Sequence, residues 1–155
     1  MVVKSDKINK LLSSIFKKHR RGIFLVNVLA IIYDPKTKKI LIGRRKDDLY
    51  LKQLNWCFPG GMPGYKDDLE VYLKHEVKLK TGLIIEPKKV IFAKTYPEKR
   101  EFLSIYYYCE ISGGEEKAGE LFINIKWVKP TEVKRYFTTS TSIHPKLSAY
   151  LKTLT

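Results

Sequence analysis

Acidic residues and cysteine are scarce in this chain, and each scarcity narrows the class of protein it can be. Asp and Glu number 16 against 30 Lys and Arg, for a formal net charge of +14 at pH 7. That balance points either to an anionic partner (a nucleotide, a diphosphate sugar, an RNA backbone) or to a charged, heat-tolerant surface. The basic residues are spread along the whole chain rather than massed in one tract, so RNA is the weaker of the anionic readings. Cys57 and Cys109 show neither a metal-type spacing nor a disulfide framework, and a reducing cytoplasm is the simplest setting. No run of about 18 apolar residues occurs, so no membrane-spanning helix is expected. The opening MVVKSDKINK has no apolar signal-peptide core. At 155 residues and 44% hydrophobic content, the chain is expected to form one domain around one core.

What is present is concentrated in Trp56 to Leu83, WCFPGGMPGYKDDLEVYLKHEVKLKTGL. Trp56, Cys57 and Phe58 make a short apolar run that Pro59 ends. Gly60 and Gly61 then supply backbone that can approach a ligand closely. Asp67 or Asp68 can cap a helix, with Glu70 in its first turn where the dipole favours an anion. Leu69, Leu73 and Val77 recur at four-residue spacing, and Tyr72 and Leu79 are expected to widen that apolar stripe. Gly82 stands where a left-handed residue would end a helix of about three turns.

The stretch 61–83 resembles the Nudix box, the signature of the Nudix hydrolase superfamily. The family pattern runs glycine, five residues, Glu, seven residues, Arg-Glu, an aliphatic residue, any residue, Glu-Glu, any residue, Gly, aliphatic. On this chain Gly61 starts the box and Asp67 takes the first Glu position. His75 and Glu76 take the Arg-Glu pair, Val77 the aliphatic position, Leu79 and Lys80 the two Glu positions, and Gly82 and Leu83 the close. The resemblance implies an α+β fold, a Nudix-type α/β/α sandwich with a mixed β-sheet. One domain spans 1–155, with an N-terminal helical extension over 1–22 and the core over 23–155. It implies hydrolysis of a nucleoside diphosphate linked to another moiety, with Mg²⁺ or Mn²⁺ as cofactor. Glu76 and Glu120 are then the catalytic candidates, Gly61, Glu76 and Glu120 the metal donors, and Asp67 with His75 a structural pair. Arg44 and Arg45, at the end of the strand that opens such domains, are expected to meet substrate phosphate. Tyr50 either stacks on a base or packs on the core.

Two of the box's carboxylates are replaced, and the replacements carry physical meaning. Hard divalent cations want several oxygen ligands. Leu79 donates none, and Lys80 brings a positive charge to a place where a cation should bind. Glu followed four residues later by Lys is a favourable helical pair. Lys80 therefore either pairs with Glu76 and partly replaces a metal, or points into solvent; as a substrate contact it would neutralise phosphate. Three functions follow: a hydrolase with weak or altered turnover, a nucleotide-binding or regulatory domain without turnover, and a basic RNA-binding module. The implied partner is an anionic small molecule, nucleotide or nucleotide sugar, with nucleic acid less favoured, no membrane, and a homodimer as a conceivable assembly.

Around the box, patterning predicts a packing helix from Ser5 to Arg21, a central strand from Ile23 to Tyr33, a turn at Asp34 to Thr37, and a strand from Lys39 to Gly43. A strand from Leu83 to Ile85 is broken by Pro87, continues from Val90 to Tyr96, and turns through Pro97 to Glu101 into a partner from Phe102 to Ile111. That partner's aromatic row reads as core rather than as a base-stacking platform. Ser112 to Gly114 opens a loop, Leu121 to Val128 is a strand, and short helices follow at Thr131 to Tyr136 and Pro145 to Leu151.

Overall fold

The computed structural model describes residues 2–18, 22–46, 56–97, 99–137 and 144–155. Helix α1 (Val2–Lys18) precedes strands β1 (Leu25–Asp34), β2 (Lys39–Arg45), β3 (Trp56–Cys57) and β4 (Gly60–Gly61). Then come helix α2 (Leu69–Thr81), strands β5 (Leu83–Tyr96), β6 (Lys99–Gly114) and β7 (Phe122–Val128), a 3₁₀ turn at Pro130–Glu132, and helices α3 (Val133–Tyr136) and α4 (Pro145–Lys152).

Alternation along β1 sets the layers. Val28, Ala30 and Ile32 point into one apolar cluster with Leu73 and Val77 of α2, while Ile31 points into the other with Val133, Phe137, Leu147 and Leu151. Successive strand residues face opposite sides, so one strand serves two cores. The sheet runs β3-β2-β1-β6-β5, with β4 added on β1 and β7 on β2. Among the described residues only the β1–β6 pairing is parallel; the others are antiparallel. The result is the expected α+β sandwich, a mixed sheet between α2 on one face and α3 with α4 on the other. Tyr106 and Tyr107 of the aromatic row are buried on opposite faces, as core side chains. No disulfide joins Cys57 and Cys109. No described helix is long and apolar enough to cross a membrane.

Three expectations change. Pro87 does not break its strand: β5 continues through it, and the ladder with β6 shifts register between Pro87 and Lys89. A strand edge with a bulge tolerates a residue that has no N–H to donate. Ser112 to Gly114 continues β6 instead of opening a loop, because Gly113 and Gly114 pair with Ile84 and Leu83. The N-terminal helix exposes Ile8 by 56% and Leu11 by 61%, and neither core cluster draws a described residue from it. Among its described side chains, the packing that its periodicity implied is not seen in either cluster. Residues 19–21, the 47–55 connection with Tyr50, and the residues just before His144 lie outside the described set.

Asp68 is the residue that caps α2, accepting a bond from the Val71 amide at 2.9 Å, while Asp67 is exposed in the preceding bend. Replacing Asp68 by Ala is expected to cost about 1 kcal/mol in urea unfolding. Asp67→Ala should fall within about 0.5 kcal/mol of the parent, as an exposed change away from any cap does. Equal effects from the two would move the cap.

Candidate functional site

Residues 72, 76 and 80 are spaced by four along α2 and form one row on its surface. That row faces the two-residue strand β4, which is held to β1 through Leu29 opposite Gly60 and Val28 opposite Gly61. The Lys80 side chain leans back toward the helix N-terminus, as helical side chains do. Its ammonium donates to the Gly60 carbonyl and lies 3.1 Å from Oε2 of Glu76. The two side chains are only 10% and 19% exposed. Glycine at 60 and 61 permits this approach. A Cβ on Gly60 would run into the Val28 carbonyl, and one on Gly61 would lie 2.5 Å from the Tyr72 hydroxyl and 3.4 Å from Oε2 of Glu76. Burial, then the neighbouring Glu76 carboxylate, pushes the Tyr72 phenol up to about 12.

The far end of α2 is pinned by backbone. Its last carbonyls have no partner within the helix. Gly82, at φ 74°, bonds the Lys78 carbonyl through its amide. The Gly119 amide reaches the Lys80 carbonyl at 3.0 Å and the Lys117 amide the Thr81 carbonyl at 2.8 Å. The segment between β6 and β7 therefore fixes where Lys80 begins, and β4 fixes where its charge ends.

Of the residues expected at the site, the structure brings together Gly61, Glu76 and Lys80, and of the two open readings of Lys80 it shows the pairing. Glu120 is exposed in the turn directly after Gly119, with a positive φ of 52°. Arg44, exposed, and Arg45, half-buried, end β2 and stand opposite Asn124 and Phe122 of β7. Tyr50 lies outside the described residues. Asp67 and His75 are both exposed, and no ion pair joins them among the described residues. Eight residues of helix would separate such a pair by about 12 Å. Leu79, expected in the apolar stripe, is 39% exposed, because it sits two residues from Val77 and so on another side of the helix. Tyr72 was legible only as apolar. Its ring does pack on the core, but its hydroxyl belongs to the site, and its place four residues before Glu76 is the signal that marks it.

The donor set does not fit a hard divalent cation. Mg²⁺ requires near-octahedral oxygen coordination. Here the Gly60 carbonyl and the Glu76 carboxylate are both engaged by one ammonium, and no group of three or more His, Cys, Asp or Glu able to hold a metal exists among the described residues. A divalent ion about 4 Å from the ammonium would be repelled by about 8 kcal/mol at an effective dielectric near 20.

Two outcomes are expected. Gly61→Ala should destabilise the fold by about 1–3 kcal/mol through overpacking against Tyr72, and Tyr72→Phe should recover part of that loss in a double-mutant cycle; additive effects would separate the two residues. In alkaline titration by near-ultraviolet absorbance, the difference between the parent and Tyr72→Phe should show one phenol with a midpoint of about 12. Because this folded value lies above the ordinary one near 10, the stability it contributes is complete below about pH 10 and is lost as pH climbs toward 12. A midpoint near 10 would place the hydroxyl in bulk water.

Comparison with known proteins agrees with this fold. The family model of the NUDIX domain matches residues 24–151. An ADP-ribose pyrophosphatase of Methanocaldococcus jannaschii is 31% identical over an alignment of 90 residues that covers 55% of this chain and 51% of that protein, so the match spans about half of the relative. The crystal structure of an ADP-ribose pyrophosphatase from Streptococcus suis matches with a TM-score of 0.61 at 20% identity, covering 82% of this chain and 87% of that one. A UDP-X diphosphatase structure matches with a TM-score of 0.66 at 15% identity, covering 97% and 70% respectively. At such identities the structural likeness speaks for the fold alone. The family match, which takes in every element from β1 into α4, places this chain in the NUDIX domain family.

Proposed function

We propose that this chain hydrolyses a nucleoside diphosphate joined to a second group, of the nucleotide or nucleotide-sugar class, and that it does so slowly. The observation that carries the reading is the junction itself, where a carboxylate and an ammonium lie side by side against side-chain-free backbone inside a NUDIX domain. The name of the 31%-identical relative, ADP-ribose pyrophosphatase, supports the substrate class. The net charge of +14 favours an anionic ligand.

In the reaction a water oxygen bonds to phosphorus, the bridging P–O bond breaks, and the water's proton must pass to a base. Glu76 is the base. The Lys80 ammonium beside it offsets charge on the phosphate oxygens, and Gly60 and Gly61 let the diphosphate come close. Arg44 and Arg45 at the end of β2, and Glu120 beyond Gly119, enter the proposal as further contacts. Nudix hydrolases generally use divalent metal ions, which bind phosphate oxygens and activate water. Here two of the box's carboxylates are Leu79 and Lys80, and turnover is slow for that reason. That no disulfide joins Cys57 and Cys109 suits a reducing cytoplasm.

A second reading, a nucleotide-binding domain without turnover, is favoured by one contact. With Lys80 Nζ 3.1 Å from its Oε2, Glu76 is less available to a water. Incubation with ADP-ribose and with a UDP-sugar, followed by phosphorus NMR and thermal unfolding together, separates the readings. Slow product release with a raised Tm is the expected result, and Glu76→Gln should lower the rate about 100-fold or more while keeping the Tm response. A Tm response without product selects the second reading. Neither product nor Tm response overturns both.

A further inference from the structure

We infer that the Lys80 ammonium is a resident cation. It fills the oxygen-lined notch between the Gly60 carbonyl and the Glu76 carboxylate, so the free protein holds no divalent metal there and meets an anionic ligand with a charge carried by its own chain. The inference rests on reading the junction as the diphosphate site.

Occupancy is the first ground. One nitrogen is bonded to the Gly60 carbonyl and sits 3.1 Å from Oε2 of Glu76, so the two oxygens that converge on the notch are both engaged. Enclosure is the second. The Lys80 side chain is 10% exposed, and withdrawing it would leave a carbonyl and a carboxylate that are themselves largely buried without a donor. Supply is the third. Leu79 carries no oxygen and is 39% exposed, and Glu70 lies in the first turn of α2, six residues from Glu76. No metal-capable cluster of three exists among the described residues.

Charge and stereochemistry follow from the substitution. An ammonium supplies one positive charge and three N–H donors. One is donated to the Gly60 carbonyl and the ammonium is ion-paired with Glu76 at 3.1 Å, and under this inference a remaining donor meets a ligand oxygen. A phosphate held this way accepts a hydrogen bond at about 2.8 Å, where a divalent ion would bind its oxygen at about 2.1 Å. The site therefore grips a diphosphate more weakly and over a longer distance than a metal centre, but needs no metal for the contact.

The test is a Mn²⁺ titration of the free protein followed by electron paramagnetic resonance, with no nucleotide present. The parent is expected to leave Mn²⁺ free. The double variant Leu79→Glu, Lys80→Glu should bind Mn²⁺ roughly ten- to hundredfold more tightly than the parent. Lys80→Met keeps the aliphatic stem, empties the notch and should give a smaller gain. A saturable Mn²⁺ site in the parent that Glu76→Gln removes overturns the inference, and so does a double variant that is folded by circular dichroism yet gains nothing. If the double variant does not fold, the parent decides alone: free Mn²⁺ upholds the inference, and a Glu76-dependent site overturns it. Failure to find a substrate would leave the Mn²⁺ result unchanged, and a bound Mn²⁺ would leave the diphosphate reading standing.

Discussion

One ammonium ties the glycine turn to the helix, and the geometry of the site depends on it. Lys80 starts in the last turn of α2, where the helix dipole favours a cation, and ends on a carbonyl of β4 beside Glu76. Taking such a pair out of water is costly, and its attraction offsets that cost only when the geometry is good and the remaining donors are used. The Gly60 carbonyl provides the further acceptor. Without the ammonium, the Gly60 carbonyl and the largely buried Glu76 carboxylate would both lose this partner. A purely apolar packing of α2 on the sheet could hold the helix equally well, but would not fix the distance between this carboxylate and this turn.

The rest of the fold supplies the fixed ends of that link. β1 lies at the centre because its residues are apolar on both faces, and it carries β4 directly through Val28 and Leu29. The same residue, Val28, is buried in the cluster that receives Leu73 and Val77 of α2. Turn and helix are therefore referenced to one strand. Lys74 adds a bond to Glu86 of β5 at 2.8 Å across the surface. Both side chains are about half exposed, so this contact contributes little energy and serves mainly as register.

Chemically, the family frame survives with altered contents. The glycine turn, the capped helix and the closing Gly82 keep the spacing of the Nudix box. The groups on the helix now present a single carboxylate and a cation where hard-metal chemistry wants several oxygens. A strongly basic chain can attract an anionic ligand over distance. In the proposed reaction, what it does at close range is set by Glu76 and Lys80 together.

Much of this was legible from residues alone. The capping Asp, the four-residue apolar spacing and Gly82 define α2 almost to the residue, because local hydrogen bonding and periodicity specify a helix without reference to the rest of the chain. The continuous aliphatic runs of β1 and β2 similarly announce a buried sheet. Pro87 and the Gly113–Gly114 pair misled, since whether such residues end a strand depends on the neighbour that pairs with them. The α1 stripe promised packing that the described structure does not give, because amphipathicity marks a face and not its partner. The sequence by itself determined which side chains stand in a row on α2, since 3.6 residues per turn fix that order. Only tertiary structure decided that Lys80 turns inward to Gly60 and Glu76 rather than out to water. That choice depends on a carbonyl twenty residues away, brought within reach by β4 pairing on β1, and no local pattern encodes that approach.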